Sequence, residues 1–288
     1  MMETSIGAVA RVKTYVATTK PEETLSSRYA QLPALWPTDG AIQISNLVAA
    51  HSATSPSVLK SISMTVQAGE KIATCGSSGS GKTTLILALL RMVEFQEDSM
   101  TIDGVNLLEY SRPEIRTRLN VVTQDPFLIN GSVRFNLDPF ERTPDEKIIV
   151  ALRRLGLWKS IDQEGGLEMK MNAASWSLGQ RQLLCLARAM LRGGKVLILD
   201  EATSSLPQGP LMLMLCSVDR KTEEMMQEVL ETEFSSHTVL SVLHRLRYIY
   251  RYDRVAVLDG GVLVEFDTPA ALLARDSRFA ELYHSGDH

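Results

Sequence analysis

The chain has 288 residues, with 30 basic and 34 acidic side chains, a formal net charge of −4 and 44% hydrophobic residues. That composition supports a packed core rather than a disordered tail, and the slight acidity excludes bulk electrostatic binding of nucleic acid. Cys75, Cys185 and Cys216 are too few and too scattered for a disulfide framework or a zinc site, which favours a reducing compartment.

Residues 3–16 have apolar positions at Ile6, Val9, Ala10 and Val16, a spacing that predicts a short helix. Thr18–Thr24 is polar and contains Pro21, the composition of a linker. Residues 1–35 are therefore read as helix and linker, and the globular domain as 36–288, beginning at Trp36-Pro37. Ala41–Leu47 and Ser61–Val66 alternate as strands, and Lys71–Cys75 is a short apolar strand. Thr83–Val93 and Gln180–Leu191 read as helices. Lys195–Leu199 and Thr238–Leu243 have the look of fully buried parallel strands. Arg254–Leu258 and Val262–Phe266, joined through Asp259-Gly260-Gly261, predict a hairpin. The alternation argues for an α/β fold with a mostly parallel sheet. A membrane-spanning helix needs ~20 consecutive apolar residues. The best runs, Leu85–Leu90 and Leu211–Cys216, reach only six, and no signal peptide is visible.

Gly76-Ser77-Ser78-Gly79-Ser80-Gly81-Lys82-Thr83, followed by Thr84, lies between a strand and a helix and fits G-x-x-x-x-G-K-[ST]. The glycines let successive N–H groups point into one concavity, and the helix adds its positive end. Lys82 reaches the β- and γ-phosphates of a nucleotide, and the Thr83 hydroxyl is a Mg²⁺ ligand. Strand KVLIL ends at Asp200-Glu201. At that edge Asp200 would hold Mg²⁺ and Glu201 would act as general base on water.

Ser177-Leu178-Gly179-Gln180 before a helix resembles the LSGGQ signature of the ATP-binding cassette (ABC) family, with Trp176 and Leu178 departing from it. The resemblance implies that Ser177, Gly179 and Gln180 serve ATP bound on a partner domain. Gln124, in Val121-Val122-Thr123-Gln124-Asp125-Pro126, resembles the Q-loop glutamine, which contacts Mg²⁺ and the attacking water. His244 resembles the switch histidine that senses the γ-phosphate, and His51 falls where the family places an aromatic stacked on adenine. Asn136-Leu137-Asp138-Pro139-Phe140 and Glu265-Phe266-Asp267-Thr268-Pro269 are similar to the second nucleotide-binding domain of subfamily C transporters, the multidrug-resistance-associated type. Even Glu3–Val12 resembles the continuation of the last transmembrane helix of those proteins.

One motif is interrupted. The family expects a D-loop, S-[SA]-[LV]-D, directly after the catalytic Glu201. Here Ser204-Ser205-Leu206-Pro207 intervenes, and Ser217-Val218-Asp219 appears later. Removing 205–216, or equally Leu206–Ser217, restores the motif, so a twelve-residue insertion is inferred. A retained intron or misplaced exon edge, an isoform with a damaged D-loop, and a tolerated looped-out segment all remain open. Pro207 and Pro210 oppose extension of the following helix into it.

The resemblance implies a P-loop NTPase with a RecA-like core, an antiparallel β-subdomain and a signature-containing helical subdomain at about 126–190. The implied reaction is Mg²⁺-dependent ATP hydrolysis powering export. The implied partners are the transmembrane domains and first nucleotide-binding domain of the same type of transporter, at the cytoplasmic face of a plasma or vacuolar membrane. The alternative is an ATP-binding regulatory module impaired in hydrolysis by the interrupted D-loop. A soluble DNA-repair or translation ATPase and a P-loop kinase fit less well. No nucleic-acid partner and no membrane span within this chain are expected, and the chain reads as a piece that starts where a last membrane helix ends.

Overall fold

The computed structural model describes residues 2–18, 29–52, 55–96, 98–123, 126–172, 176–200, 212–243 and 246–285. In chain order the elements are α1 (Met2–Thr18), β1 (Ile42–Ala50), β2 (Leu59–Val66), β3 (Lys71–Cys75), α2 (Lys82–Leu89), β4 (Glu94–Phe95), β5 (Met100–Ile102), β6 (Val105–Asn106), α3 (Arg112–Arg118) and β7 (Asn120–Val122). Then follow β8 (Gly131–Ser132), α4 (Val133–Leu137), α5 (Asp145–Arg154), α6 (Trp158–Gln163), β9 (Lys170–Met171), α7 (Leu178–Leu191) and β10 (Val196–Asp200). The last are α8 (Met212–Thr232), β11 (Thr238–Val242), β12 (Arg254–Asp259), β13 (Val262–Asp267), α9 (Pro269–Leu273) and α10 (Arg278–Ser285).

Two sheets carry the architecture. One is antiparallel, in the order β2-β1-β5-β6, with β4 also on β1. Its β1 alternates as a half-buried strand should: Ile42, Ile44, Leu47 and Ala49 face the core. The step between Ile44 and Leu47 is a register shift, where Asn46 takes a left-handed φ of 51° and its N–H donates to Ser63 Oγ at 2.8 Å. The other sheet has the order β13-β12-β3-β11-β10-β7 and is parallel apart from β13. β10 divides the interior. Val196 and Ile198 join the cluster that packs α2 and the antiparallel sheet, whereas Leu197 and Leu199 join the cluster built on α4 to α8. A fully apolar strand is the physical signature of such a shared wall. The architecture is the P-loop NTPase arrangement, with an antiparallel sheet beside the parallel one and a helical layer between β7 and β10.

The chain enters the core before β1. Leu32 and Trp36 are buried, and Trp36 Nε1 donates to Ile102 O at 2.9 Å. The Asp103 carboxylate accepts the N–H groups of Thr38, Asp39, Gly40 and Ala41 at 2.8–3.1 Å, satisfying four backbone donors with one side chain. On α1, Val9, Val12, Tyr15 and Val16 are exposed. Among the described residues no helix is long and apolar enough to cross a membrane.

Strand positions follow the sequence pattern closely, and Lys71–Cys75 matches it residue for residue. The helix expected over Thr83–Val93 instead ends at Leu89. Arg91 adopts φ 51°, Arg91 N donates to Ala88 O at 2.9 Å and Met92 N to Leu87 O at 2.7 Å, which is a Schellman closure with arginine in the usual glycine place. The buried Arg91 guanidinium donates to Tyr110 O and lies over the Tyr29 ring, contacts that hold the left-handed backbone. Met212–Cys216 of the inferred insertion lie in α8, whose backbone runs on through Ser217-Val218-Asp219. The helix begins two residues after Pro210, and 205–211 lie outside the described residues.

Arg254 ties β12 to the turn between the two sheets. It forks onto both Glu70 oxygens, donates to Thr65 O at 2.7 Å and sits 4.0 Å over the Phe266 ring. Burial alone would raise the Glu70 pKa, but bonds from Arg254 and Gln67 N outweigh it and hold the carboxyl below its ordinary 4.5. A depressed carboxylate contributes stability above its unfolded pKa and loses it as pH falls through the folded value. Glu70→Gln is therefore expected to lower the melting temperature at pH 7. The gap from wild type should narrow as pH falls below 4.5. Thermal melts across pH 3–8 read this, and a gap independent of pH would refute it.

Candidate nucleotide site

β3 delivers the loop 76–81, and α2 begins at Lys82. Gly76, Gly79 and Gly81 take positive φ values of 146°, 77° and 105°, which an L side chain resists. Gly76 also has no room: a Cβ there would lie 2.1 Å from Leu258 O. Ser77, Ser78, Gly79 and Thr83 are exposed, while Ser80, Gly81, Lys82 and Thr84 are buried. The loop thus presents an open rim over a packed base. Lys82 Nζ donates to Gly76 O at 2.8 Å and Ser77 O at 3.1 Å, so its ammonium is held across the loop mouth. The Ser80 hydroxyl is buried and finds no hydrogen-bond partner among the described residues. Behind the loop, burial pushes the Cys75 thiol up to about 12, against the opposing pull of Lys82. No thiolate forms there to compete for the lysine charge.

The parallel register brings the remaining strand ends to the same edge. Val242 pairs with Asp200 on one side and Thr74 on the other, so Thr74, Val242 and Asp200 form one row across β3, β11 and β10. Leu199 pairs with Val122, placing the end of β7 next in line. Asp200 is half-buried at the C-terminal end of β10. The hydroxyl of Thr83, in the first turn of α2, and the carboxylate of Asp200, at the end of β10, are hard oxygen donors of the kind that suit Mg²⁺ with water completing its shell. Gln124, Glu201 and His244, which follow β7, β10 and β11, lie outside the described residues. His51 is exposed in the turn after β1.

The signature segment forms a capped helix start. Ser177 Oγ accepts from Gln180 N at 3.2 Å, and Ser177 N donates to Gln180 Oε1 at 3.0 Å, a capping box. Both side chains are exposed. Gly179 is buried instead. A Cβ there would meet Thr222 Cγ2 at 2.9 Å, so glycine is what allows α7 to approach α8. Leu178 is half-buried.

The sequence reading did not single out Arg188. From the last turn of α7 it donates to Phe127 O at 2.9 Å, Asn136 Oδ1 at 3.0 Å and Asn136 O at 2.5 Å. Asn136 in turn exchanges bonds with Ile129 N and O at 2.9 and 2.8 Å. The pair fastens the segment after Gln124 to the signature helix. Burial lowers the pKa of Arg188 from its ordinary value.

Fold and loop together define a P-loop nucleotide-binding domain. A family profile described as ABC transporter matches residues 59–204. Over 286 residues the chain is 44% identical to ABC transporter atnG of Emericella nidulans, covering 99% of this chain and 18% of that protein. It is 43% identical over 285 residues to ABC multidrug transporter B of Aspergillus fumigatus (99% and 19%). It is 40% identical over 277 residues to ABC transporter C family member 3 of Dictyostelium discoideum (94% and 18%). The chain belongs to the ABC transporter family, as a nucleotide-binding domain. It spans about a fifth of the length of the curated relatives it matches.

Proposed function

We propose that this domain binds MgATP at the 76–84 loop and hydrolyses it to drive export, as the second nucleotide-binding domain of a subfamily C transporter. The observation that carries the reading is the glycine loop with the Lys82 ammonium held across its mouth. In it, the amides of Gly76, Ser77, Ser78, Gly79, Ser80 and Gly81 and the start of α2, with Thr84, cradle the phosphates. Lys82 neutralises β- and γ-phosphate charge. Thr83, Asp200 and Gln124 would hold Mg²⁺, which supplies charge neutralisation on the phosphates. Glu201 orients and deprotonates the attacking water, His244 contacts the γ-phosphate, and His51 stacks on the base. Ser177, Gly179 and Gln180 face ATP on the first nucleotide-binding domain, with the transmembrane domains as the other partners. The setting is the cytoplasmic face of a plasma or vacuolar membrane.

The test has two arms. The isolated chain is expected to bind MgATP with little turnover, read by calorimetry and phosphate release. In the assembled transporter, Glu201→Gln is expected to abolish turnover while ATP stays bound. Unchanged turnover in Glu201→Gln would instead favour an ATP-binding module that does not use this site for hydrolysis.

A further inference from the structure

A loop that turns its N–H groups inward for an anion must turn carbonyls outward, and those carbonyls need partners. In this protein the partner of Ser80 O is the N–H of Gly261, at 3.1 Å, in the turn between β12 and β13. Gly261 O accepts in its turn from Lys60 N at 2.8 Å, at the start of β2. Gly261 is buried, has φ +87°, and a Cβ on it would fall 2.0 Å from Val58 O. Its neighbour Gly260 is exposed, has φ +53°, and meets nothing within 4 Å. The same three pieces touch again nearby. A Cβ on Gly81 would lie 2.7 Å from Leu59 Cδ2, and Leu258 O blocks Gly76.

From this we infer that Gly261 is a positioning residue for the phosphate loop, a backbone brace that fixes Ser80 O outward and anchors the loop to β2. It touches no nucleotide. Its part is to keep the amides of residues 79–83 aimed at phosphate, so it rests on the ATP reading above. A side chain at 261 has to push Val58 or Ser80 aside, whereas one at 260 enters open space. Lys60→Pro breaks the other half of the brace from the β2 side: it deletes the N–H that holds Gly261 O and sets a ring carbon in its place.

The experiment uses the full 288-residue chain. Hydrogen exchange of the 79–83 amides and the MgATP dissociation constant are measured for wild type, Gly261→Ala, Gly260→Ala and Lys60→Pro, with circular dichroism certifying folding. Gly261→Ala and Lys60→Pro are expected to speed exchange and weaken MgATP binding by about tenfold each, the worth of one lost hydrogen bond in a packed site. Gly260→Ala is expected to leave both near wild type. Wild-type exchange or wild-type affinity in Lys60→Pro and in folded Gly261→Ala overturns the inference. If Gly261→Ala does not fold, Lys60→Pro decides. A wild-type chain that binds no MgATP defeats the ATP reading, and the exchange rates then decide the brace separately.

Discussion

Replacing Lys82 with alanine is expected to weaken MgATP binding by about 10²–10³-fold, the largest effect of any single change at the site. The side chain is only 5% exposed, and its ammonium already donates to Gly76 O and Ser77 O. A charge-assisted bond to phosphate in such a setting contributes about 3–4 kcal/mol, since little water competes for the donor. Lys82→Arg keeps the charge but not the compact shape that fits beside the buried Ser80 and Thr84, and is expected to recover only part of the affinity. Equilibrium titration of wild type and both variants reads this directly. A Lys82→Ala protein that binds within about threefold of wild type would show that the loop is not the phosphate cradle.

The second large effect concerns stability. Arg188→Met is expected to destabilise the protein by about 3–5 kcal/mol, because it strips donors from three oxygen acceptors at once and leaves the carbonyls of Phe127 and Asn136 short of partners. Methionine replaces the aliphatic stem, so the loss reports the guanidinium. Arg188→Lys supplies one ammonium where the structure uses a three-nitrogen fork, and should recover a minor part. Urea unfolding measures both. A loss under about 1 kcal/mol would mean that the segment after Gln124 is held by other contacts. Because that segment links a candidate Mg²⁺ residue to the signature helix, the folded Arg188→Lys variant is the useful one for asking whether the two move together.

How much of this was written in the sequence depends on the range of the forces involved. The buried strands were plain because their pattern is local: Lys71–Cys75 is a short, mostly apolar run between a charged start and a glycine. The Gly260-Gly261 turn was equally plain, since both residues have positive φ and two-residue hairpins select glycine there. The phosphate loop announced itself by chemistry. The end of α2 did not. Arg91 has no sequence mark of a helix stop, and its left-handed backbone is held by a carbonyl of Tyr110 and the Tyr29 ring. The short α4 and α6 were also invisible, because helices of that length are too short to stand on propensity and owe their shape to packing around Val133, Leu137 and Ile161. Arg188, and the contact of Gly261 with the phosphate loop, were missed for a related reason. Each acts on the backbone of a remote segment, and a backbone acceptor leaves no trace in residue type.

The strand order has a bearing on how this protein comes into being. β3, which carries the phosphate loop, hydrogen-bonds to β11 on one side and β12 on the other. Both neighbours belong to the final third of the chain, whereas the antiparallel sheet completes itself from residues 42–106. During synthesis the early sheet can therefore close while β3 still waits, first with both edges unpaired and then, once β11 has joined, with one, until the ribosome has released β12. Within this domain the nucleotide cradle is translated early and assembled late. A nascent chain halted before β12 would leave the ribosome with an apolar strand open on that edge, a form for chaperones and proteases rather than for ATP.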